Sequence, residues 1–489
     1  MIAKRLVPLT LLLALAYLLG ATPAVRAAEG GTATLDVQTQ SGLLAYLLTW
    51  LLPLGVALVA VGLSQASRAY HVATALPLAL AAALGGYALC GFALQFGGVG
   101  LVTDNPALAG WIAEWSPLDL TLGDGWGLLG LHGFMLPSTL MTPTAWNLFL
   151  AQLPLVATAA LLPLLALDER IPRLPGLFLA FLVAAVVYPL MGNWLCGGGW
   201  LSHLGQTLSL GQGYRDDGLV SLYLVGAGAA LAGITALKSA GRGRPRIAEP
   251  ELPRAYLPLN VLAGAFLALL GWCAVLFNRP LGAALDPLAG LPRLFAAVAG
   301  SVLAASFYGW LVHGRPDAGL TGRAMLAAVI LVSAGLRSIP VWGAALSGAV
   351  CGLLLAPAMY LVEHVLHLDD RAATLSVHGL SALAGVLMVA ALEGGVSQLY
   401  AQLLGVAALA LLSALMPWAL LVIIARAYTL PAALSALARA QSDEWANARL
   451  VRAQRRLQGQ LPSLLQRLNR LYRRRAAVVA RRLMARPLP

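Results

Sequence analysis

Asp369-Asp370-Arg371-Ala372-Ala373-Thr374-Leu375-Ser376-Val377-His378-Gly379 opens one of the apolar stretches of this 489-residue chain. Two carboxylates stand at its start, and a histidine lies eight residues past Asp370 in a run of aliphatic residues. Read as one helix at ~1.5 Å per residue, the stretch carries His378 ~12 Å beyond Asp370, close to half of a ~30 Å hydrocarbon core. Asp369 and Asp370 suit a helix N-terminus, where negative charge complements the macrodipole. An ionisable group within a span is costly to keep, so His378 is a candidate for a solute path. The competing reading is a histidine held in the packing by hydrogen bonds.

The same kind of stretch recurs along the chain. Apolar runs able to cross a bilayer fall at 43–63, 73–95, 146–167, 174–195, 219–238, 256–277, 293–312, 320–336, 341–362, 375–392 and 398–424. Composition agrees, with 60% apolar and 11% charged residues, where soluble domains carry roughly 25% charged. The expected fold is all-α, a polytopic membrane protein of eleven transmembrane helices. The run at 320–336 is short and needs protein neighbours or a re-entrant companion.

Lys4 and Arg5, the apolar Leu6 to Leu19, and small residues up to Ala28 form the pattern of a secretory signal peptide over 1–28. An uncleaved first span is the alternative. Cleavage leaves residue 29 on the periplasmic side of a bacterial inner membrane, with residues 29–425 as the transmembrane domain. The connection Gly97–Ala145, with Asp104, Glu114, Asp119 and Asp124 and neither Lys nor Arg, then faces outward. Lys238, Arg242, Arg244, Arg246 and Arg254 face inward, as the positive-inside rule requires.

An odd number of spans puts the tail, 426–489, in the cytoplasm. It holds fourteen arginines against Asp443 and Glu444, which accounts for the whole chain's net charge of +12. The charge is local and is no nucleic-acid footprint. Leu450, Leu457, Leu464, Leu471 and Val478 recur every seven residues, broken at Pro462. Such a basic helix pairs with another copy, binds anionic lipid or a cytoplasmic protein, or stays solvated. Cys90, Cys196, Cys273 and Cys351 are scattered and suggest neither disulfides nor a metal site. No cofactor is implied, and no nucleophile or paired carboxylates within the spans point to an enzyme.

Further elements join the opening stretch. Tyr188-Pro189 leads to Asn193-Trp194-Leu195-Cys196-Gly197-Gly198-Gly199-Trp200, followed by Asp216-Asp217 and the small-residue span from Tyr223. Asp168-Glu169-Arg170-Ile171, Leu257-Pro258-Leu259, Gly271-Trp272, Gly314-Arg315-Pro316-Asp317 and Trp342-Gly343-Ala344 complete the order. Over about residues 43–425 this series resembles the ammonium transporter (Amt/Mep/Rhesus) family. The resemblance implies a homotrimer of protomers built from two inverted five-helix repeats plus an eleventh helix. Each protomer would carry its own narrow apolar pore. An outer aromatic cage would recruit ammonium, and a pair of histidines in mid-pore would pass ammonia onward.

By that resemblance His378 matches the second pore histidine. The first falls on Tyr223, with Ser221 the alternative if the register slips, and Ser333 joins the pore residues. The outer substrate site maps to Cys196 for its tryptophan and Ala151-Gln152 for its Phe-Gln element. Phe277-Asn278 fall at the second gate, and Asp216 or Asp217 at the structural carboxylate. A tyrosine titrates near ~10, so Tyr223 is a poor proton carrier at neutral pH. Two readings follow. One is an ammonium/ammonia transporter or channel with a non-standard pore. The other is a non-conducting sensor or scaffold that acts through the basic tail.

Overall fold

The computed structural model describes residues 44–63, 66–119, 126–167, 170–171, 173–217, 220–239, 258–277, 286–370 and 372–424, with a few positions between 462 and 475. The signal segment 1–28, the basic loop near 240–257, Asn278 and most of the tail 426–489 lie outside the described residues. The chain divides into two compact units, Met1–Trp418 and Ala419–Pro489. The residues of the candidate site belong to the first.

In chain order the helices are α1 (Leu44–Gly62), α2 (Ala66–Gly86, carried through the π-helical turn Tyr87–Gly91 to Phe96) and α3 (Pro143–Leu167). Then come α4 (Arg173–Leu182, through the π turn Val183–Val187 to Cys196), the short α5 (Trp200–Thr207) and α6 (Ser221–Ser239). The second half holds α7 (Pro258–Phe277), α8 (Pro287–His313), α9 (Ala318–Ser333) and α10 (Val341–Tyr360, through Leu361–Val365). It ends with α11 (the π turn Thr374–Gly379, then Leu380–Glu393) and α12 (Gly395–Ile424). A two-residue pair, β1 (Glu114–Trp115) antiparallel to β2 (Leu129–Gly130), pins the loop between α2 and α3.

Each apolar run read from the sequence falls on one of these helices. Among the described residues nine helices are long and apolar enough to cross a membrane, while the apolar stretches Ser221–Leu237 and Ala318–Ser333 are shorter. The reason for the short α9 is visible in its packing. Every residue from Ala324 to Ser333 is buried inside the protein. A helix apolar on all sides and wrapped by other helices need not match the thickness of lipid. In α3 every residue from Ala151 to Leu167 is likewise buried.

These two enclosed helices hold equivalent places. In the first half α3 packs against α1, α2 and α6, and α2 packs against α4. In the second half α9 packs against α7, α8 and α11, and α8 packs against α10. Taking α1, α2, α3, α4 and α6 in order onto α7, α8, α9, α10 and α11 reproduces every one of these contacts. The halves join through the equivalent pairs α1 with α7 and α6 with α11. The second half thus repeats the contact pattern of the first.

Small residues allow the α1–α7 junction. A Cβ on Gly55 would collide with the backbones of Gly264 and Ala268, and one on Gly271 with Leu52. Without a hydrophobic drive between helices in lipid, such backbone-to-backbone contact supplies the packing energy. Replacing Gly55 by Leu forces the halves apart and is expected to cost about 3 kcal/mol, the upper end of overpacking penalties. Thermal unfolding of the purified protein in detergent measures it, as a lowered midpoint.

Candidate functional site

The start of α11 differs from the helix read in sequence, and the difference moves His378. The helix begins at Thr374, four residues after Asp370. Asp370 instead folds back as a cap. Its Oδ1 accepts the Leu375 N–H at 3.0 Å, and its Oδ2 accepts the Ser376 N–H at 2.8 Å and the Ser376 hydroxyl at 2.9 Å. Ala373 sits in the left-handed region at φ 53°, which turns the chain into the helix. His378 is therefore roughly 6 Å of helix from the start of α11, half the depth a continuous helix from Asp370 would give. Asp369 pairs with Arg170 Nη1 at 3.4 Å, tying this corner to the end of α3.

His378 is 5% exposed. The Ala373 carbonyl lies near its ring, but neither ring nitrogen makes a hydrogen bond of normal geometry. The Tyr223 ring, on α6, faces it with centroids 5.5 Å apart and planes at 31°. Trp272, on α7, also packs against Tyr223, with centroids 5.6 Å apart. Its indole N–H donates to the Ser333 hydroxyl of α9, which in turn donates to the Val329 carbonyl at 2.5 Å. Helices α6, α7, α9 and α11 thus meet in one row of side chains, Ser333–Trp272–Tyr223–His378, at the junction of the two halves. Gly379 lets α11 approach, since a Cβ there would press on the Ala227 methyl of α6.

Ser221 does not share this row. It is the first residue of α6, its N–H is accepted by Asp216 Oδ2 at 2.7 Å, and its hydroxyl bonds the Tyr214 hydroxyl at 2.9 Å. Of the two residues open at the first histidine position, Tyr223 is the one whose ring meets His378.

The residues mapped to the outer substrate site separate. Gln152, beside the buried Ala151 on α3, accepts the Tyr188 hydroxyl at 2.5 Å. Cys196 and Asp216 lie within electrostatic reach of that hydroxyl. Phe277 does not join them. It is the last described residue of α7 and is 56% exposed. Asp216 caps α6 through the N–H groups of Val220 and Ser221. Asp217 is buried between Arg215 Nη2 at 3.2 Å and Arg337 Nε at 3.4 Å, and accepts the Arg337 N–H at 3.0 Å. Arg215 Nε also reaches Glu393 Oε2 at 3.5 Å. Buried charges are tolerable in such mutual pairing.

Sequence reasoning missed several polar residues that shape this end. Gln398 and Gln402, one turn apart on α12, bracket the segment before α6. Gln398 accepts the Gln212 N–H at 2.9 Å and donates to the Gly213 carbonyl at 2.8 Å. Gln402 does the same for the two backbone groups of Arg215, at 2.9 Å and 2.7 Å. Two buried amides in a span were the available signal. Glu114, on β1, is wedged against Gly98 and Gly127. Burial pushes its carboxyl above the usual range; the Ser116 hydroxyl pulls it down, Asp119 raises it, and His203 lowers it.

The model of the Ammonium Transporter Family matches residues 42–436. The chain belongs to the ammonium transporter family. It is 30% identical over 295 residues to Ammonium transporter Amt2 of Archaeoglobus fulgidus, which covers 58% of this chain and 61% of that protein. It is 27% identical over 338 residues to a putative ammonium transporter of Synechocystis, covering 65% of this chain and 67% of that one. The chain thus spans about three fifths of the length of the archaeal relative. Among solved structures, one titled Sensor Amt Protein superposes with a TM-score of 0.65 at 20% identity, over 80% of this chain and 93% of that one. Candida albicans Mep2 follows the same path with a TM-score of 0.61 at 20% identity, over 80% and 84%. At these identities the structures show a shared fold of the ammonium transporters.

Two measurements check the local chemistry. Asp370→Ala removes the cap of α11 and three charge-assisted bonds; a loss of about 2 kcal/mol or more is expected in thermal unfolding. For Glu114, a folded pKa above the unfolded one gives stability that is full at low pH and lost as pH rises through the folded value. Glu114→Gln is therefore expected to raise the melting temperature at pH 7 and to flatten its decline above about pH 4.5.

Proposed function

We propose that the protein is an ammonium/ammonia transporter or channel whose first pore histidine is replaced by Tyr223. Membership of a transporter family supports a transport activity rather than an enzymatic one. The observation that carries the reading is His378, buried between the two halves with neither ring nitrogen in a hydrogen bond of normal geometry, its ring against Tyr223. A merely structural histidine in a membrane bundle would spend at least one nitrogen on a partner. In this reading α6 and α9 also cross the membrane, giving eleven spans. The chain starts on the periplasmic side of a bacterial inner membrane after signal cleavage and ends in the cytoplasm. Three copies associate, each with its own path.

The row at the junction suggests how the pore differs from a two-histidine one. A tyrosine hydroxyl gives one donor and accepts in return, so solute can still be handed along by hydrogen bonds. A proton relay between two imidazoles is lost. Gln152, Tyr188, Cys196 and Asp216 stand where solute enters, and this mouth lacks the tryptophan of the family's cage.

A second reading has its own observation. The Tyr223 ring is packed against Trp272 and His378, in the place a solute would cross. A protein so filled would bind ammonium without conducting it and signal through the basic tail, as a sensor or scaffold. The fold shared with a structure titled Sensor Amt Protein accords with this.

Flux of ammonium and methylammonium through purified protein in proteoliposomes separates the two. The transporter reading expects flux in the wild type and a loss of at least about tenfold in His378→Ala. Equal flux in both would show that the histidine has no part in the path. Folded protein without flux, and without rescue of growth on low ammonium, would leave the sensor reading, which expects deletion of 440–489 to abolish its output.

A further inference from the structure

Two buried indole N–H groups, those of Trp126 and Trp200, have no acceptor, and they stand at one place beside the loop between α2 and α3. The indoles of Trp111, Trp194 and Trp272 do find acceptors, in the Leu140 carbonyl, the Leu128 carbonyl and the Ser333 hydroxyl. Glu114 Oε2 is buried and unbonded at the same place, although the Ser116 hydroxyl donates to Oε1 at 2.8 Å. The segment from Trp126 to Leu128 draws these groups together. A Cβ on Gly127 would stand 2.7 Å from Glu114 Oε2. The backbone N–H of Trp200 donates to the Gly127 carbonyl at 3.1 Å, and the Trp194 indole reaches the Leu128 carbonyl at 2.8 Å. Trp126 and Trp200 lie nearly parallel, at 11° with centroids 6.4 Å apart, and Trp194 meets Trp200 at 5.7 Å and 62°. Trp126 is 8% exposed, whereas Glu114, Trp194 and Trp200 are half-buried, which leaves an approach from solution. None of these four residues belongs to the row at the junction or to the residues mapped to the outer substrate site.

We propose that Glu114, Trp126, Trp194 and Trp200 form a binding site for a small organic ammonium cation that carries a hydroxyl, an amino alcohol of the ethanolamine to choline class. The positive charge follows from an unbonded carboxylate oxygen beside three indole rings, whose faces attract cations. The loop from Gly97 to Ala145 has neither Lys nor Arg, so an anion would meet no fixed positive charge on it. His203 and Asp119, the titratable groups that act on Glu114, oppose one another in sign when His203 is protonated. The hydroxyl follows from the two indole N–H groups. They can only donate, and a hydroxyl oxygen accepts, whereas a bare alkylammonium would leave them unsatisfied. Ammonium itself presents no alkyl surface to the three rings, and the apolar area of those rings rewards a larger ligand. A charged head at Glu114 with a hydroxyl at the indoles occupies all three unbonded atoms. The site goes beyond the transport reading and does not depend on it.

Calorimetric titration of choline, ethanolamine and tetramethylammonium into the full-length protein, held in nanodiscs of phosphatidylglycerol, tests the site. Choline is expected to bind about fivefold more tightly than tetramethylammonium, which has no acceptor. Glu114→Gln is expected to weaken both about tenfold or more, as loss of a charge-assisted contact does. Trp126→Phe and Trp200→Phe each keep a ring and remove the N–H, and they are expected to erase the advantage of choline; they serve equally should the Glu114 variant not purify. Binding of choline is expected to be unchanged in His378→Ala. No binding of choline or ethanolamine by the wild type, or equal affinity in Glu114→Gln, would overturn the proposal. So would an affinity that falls in His378→Ala and not in the tryptophan variants, since the cation would then lie at the junction. Lipid headgroups share this chemistry, so the titration is repeated in discs of phosphatidylcholine. Unchanged affinity there makes a dissolved amine the occupant, and binding lost only there makes it a headgroup; both results uphold the site.

Discussion

Hydrocarbon offers no hydrogen-bond partner, so every polar group carried into the membrane must find one inside the protein or be held for something that passes. The architecture follows this constraint closely. Asp370 takes three donors at the start of α11, and Asp216 closes the start of α6. Gln398 and Gln402 satisfy the backbone of the loop before α6. Arg215, Asp217, Arg337 and Glu393 neutralise one another at the same end. Against that background, His378 is buried at the junction with neither ring nitrogen in a hydrogen bond of normal geometry.

Close packing sets where that position falls. Glycines bring α1 onto α7, and Gly379 brings α11 onto α6, so the two halves meet backbone to backbone. Their equivalent helices face each other across the junction, which places Tyr223 against His378 and Trp272. The enclosed α3 and α9 each pack against the other helices of their own half. Because these two helices touch protein on all sides, their length and polarity are free of the demands of lipid. This is why α9 carries Arg323 and remains short.

The spans, their order and the family were legible in the sequence, because a run of ~20 apolar residues has few alternatives to a membrane helix. Tyr223, Ser333 and His378 were named from motif order, and the fold brings their side chains into one row with Trp272. Phe277 lies exposed at the end of the described part of α7, and Ser221 is bonded to Asp216 and Tyr214. The helical run before His378 was overestimated because Asp370 reads as a helical residue in sequence yet caps from outside the helix. Such a fold-back depends on one left-handed alanine, which no propensity marks.

By itself the sequence determined that this is a many-helix membrane protein of the ammonium transporter family with a histidine kept inside a span. Hydropathy and motif order suffice for that, since both are local in the chain. Only the tertiary structure decided that the helices form two equivalent sets of contacts and that the Tyr223 ring meets His378. Those facts depend on which backbones approach one another, and that is settled by packing between residues far apart in sequence.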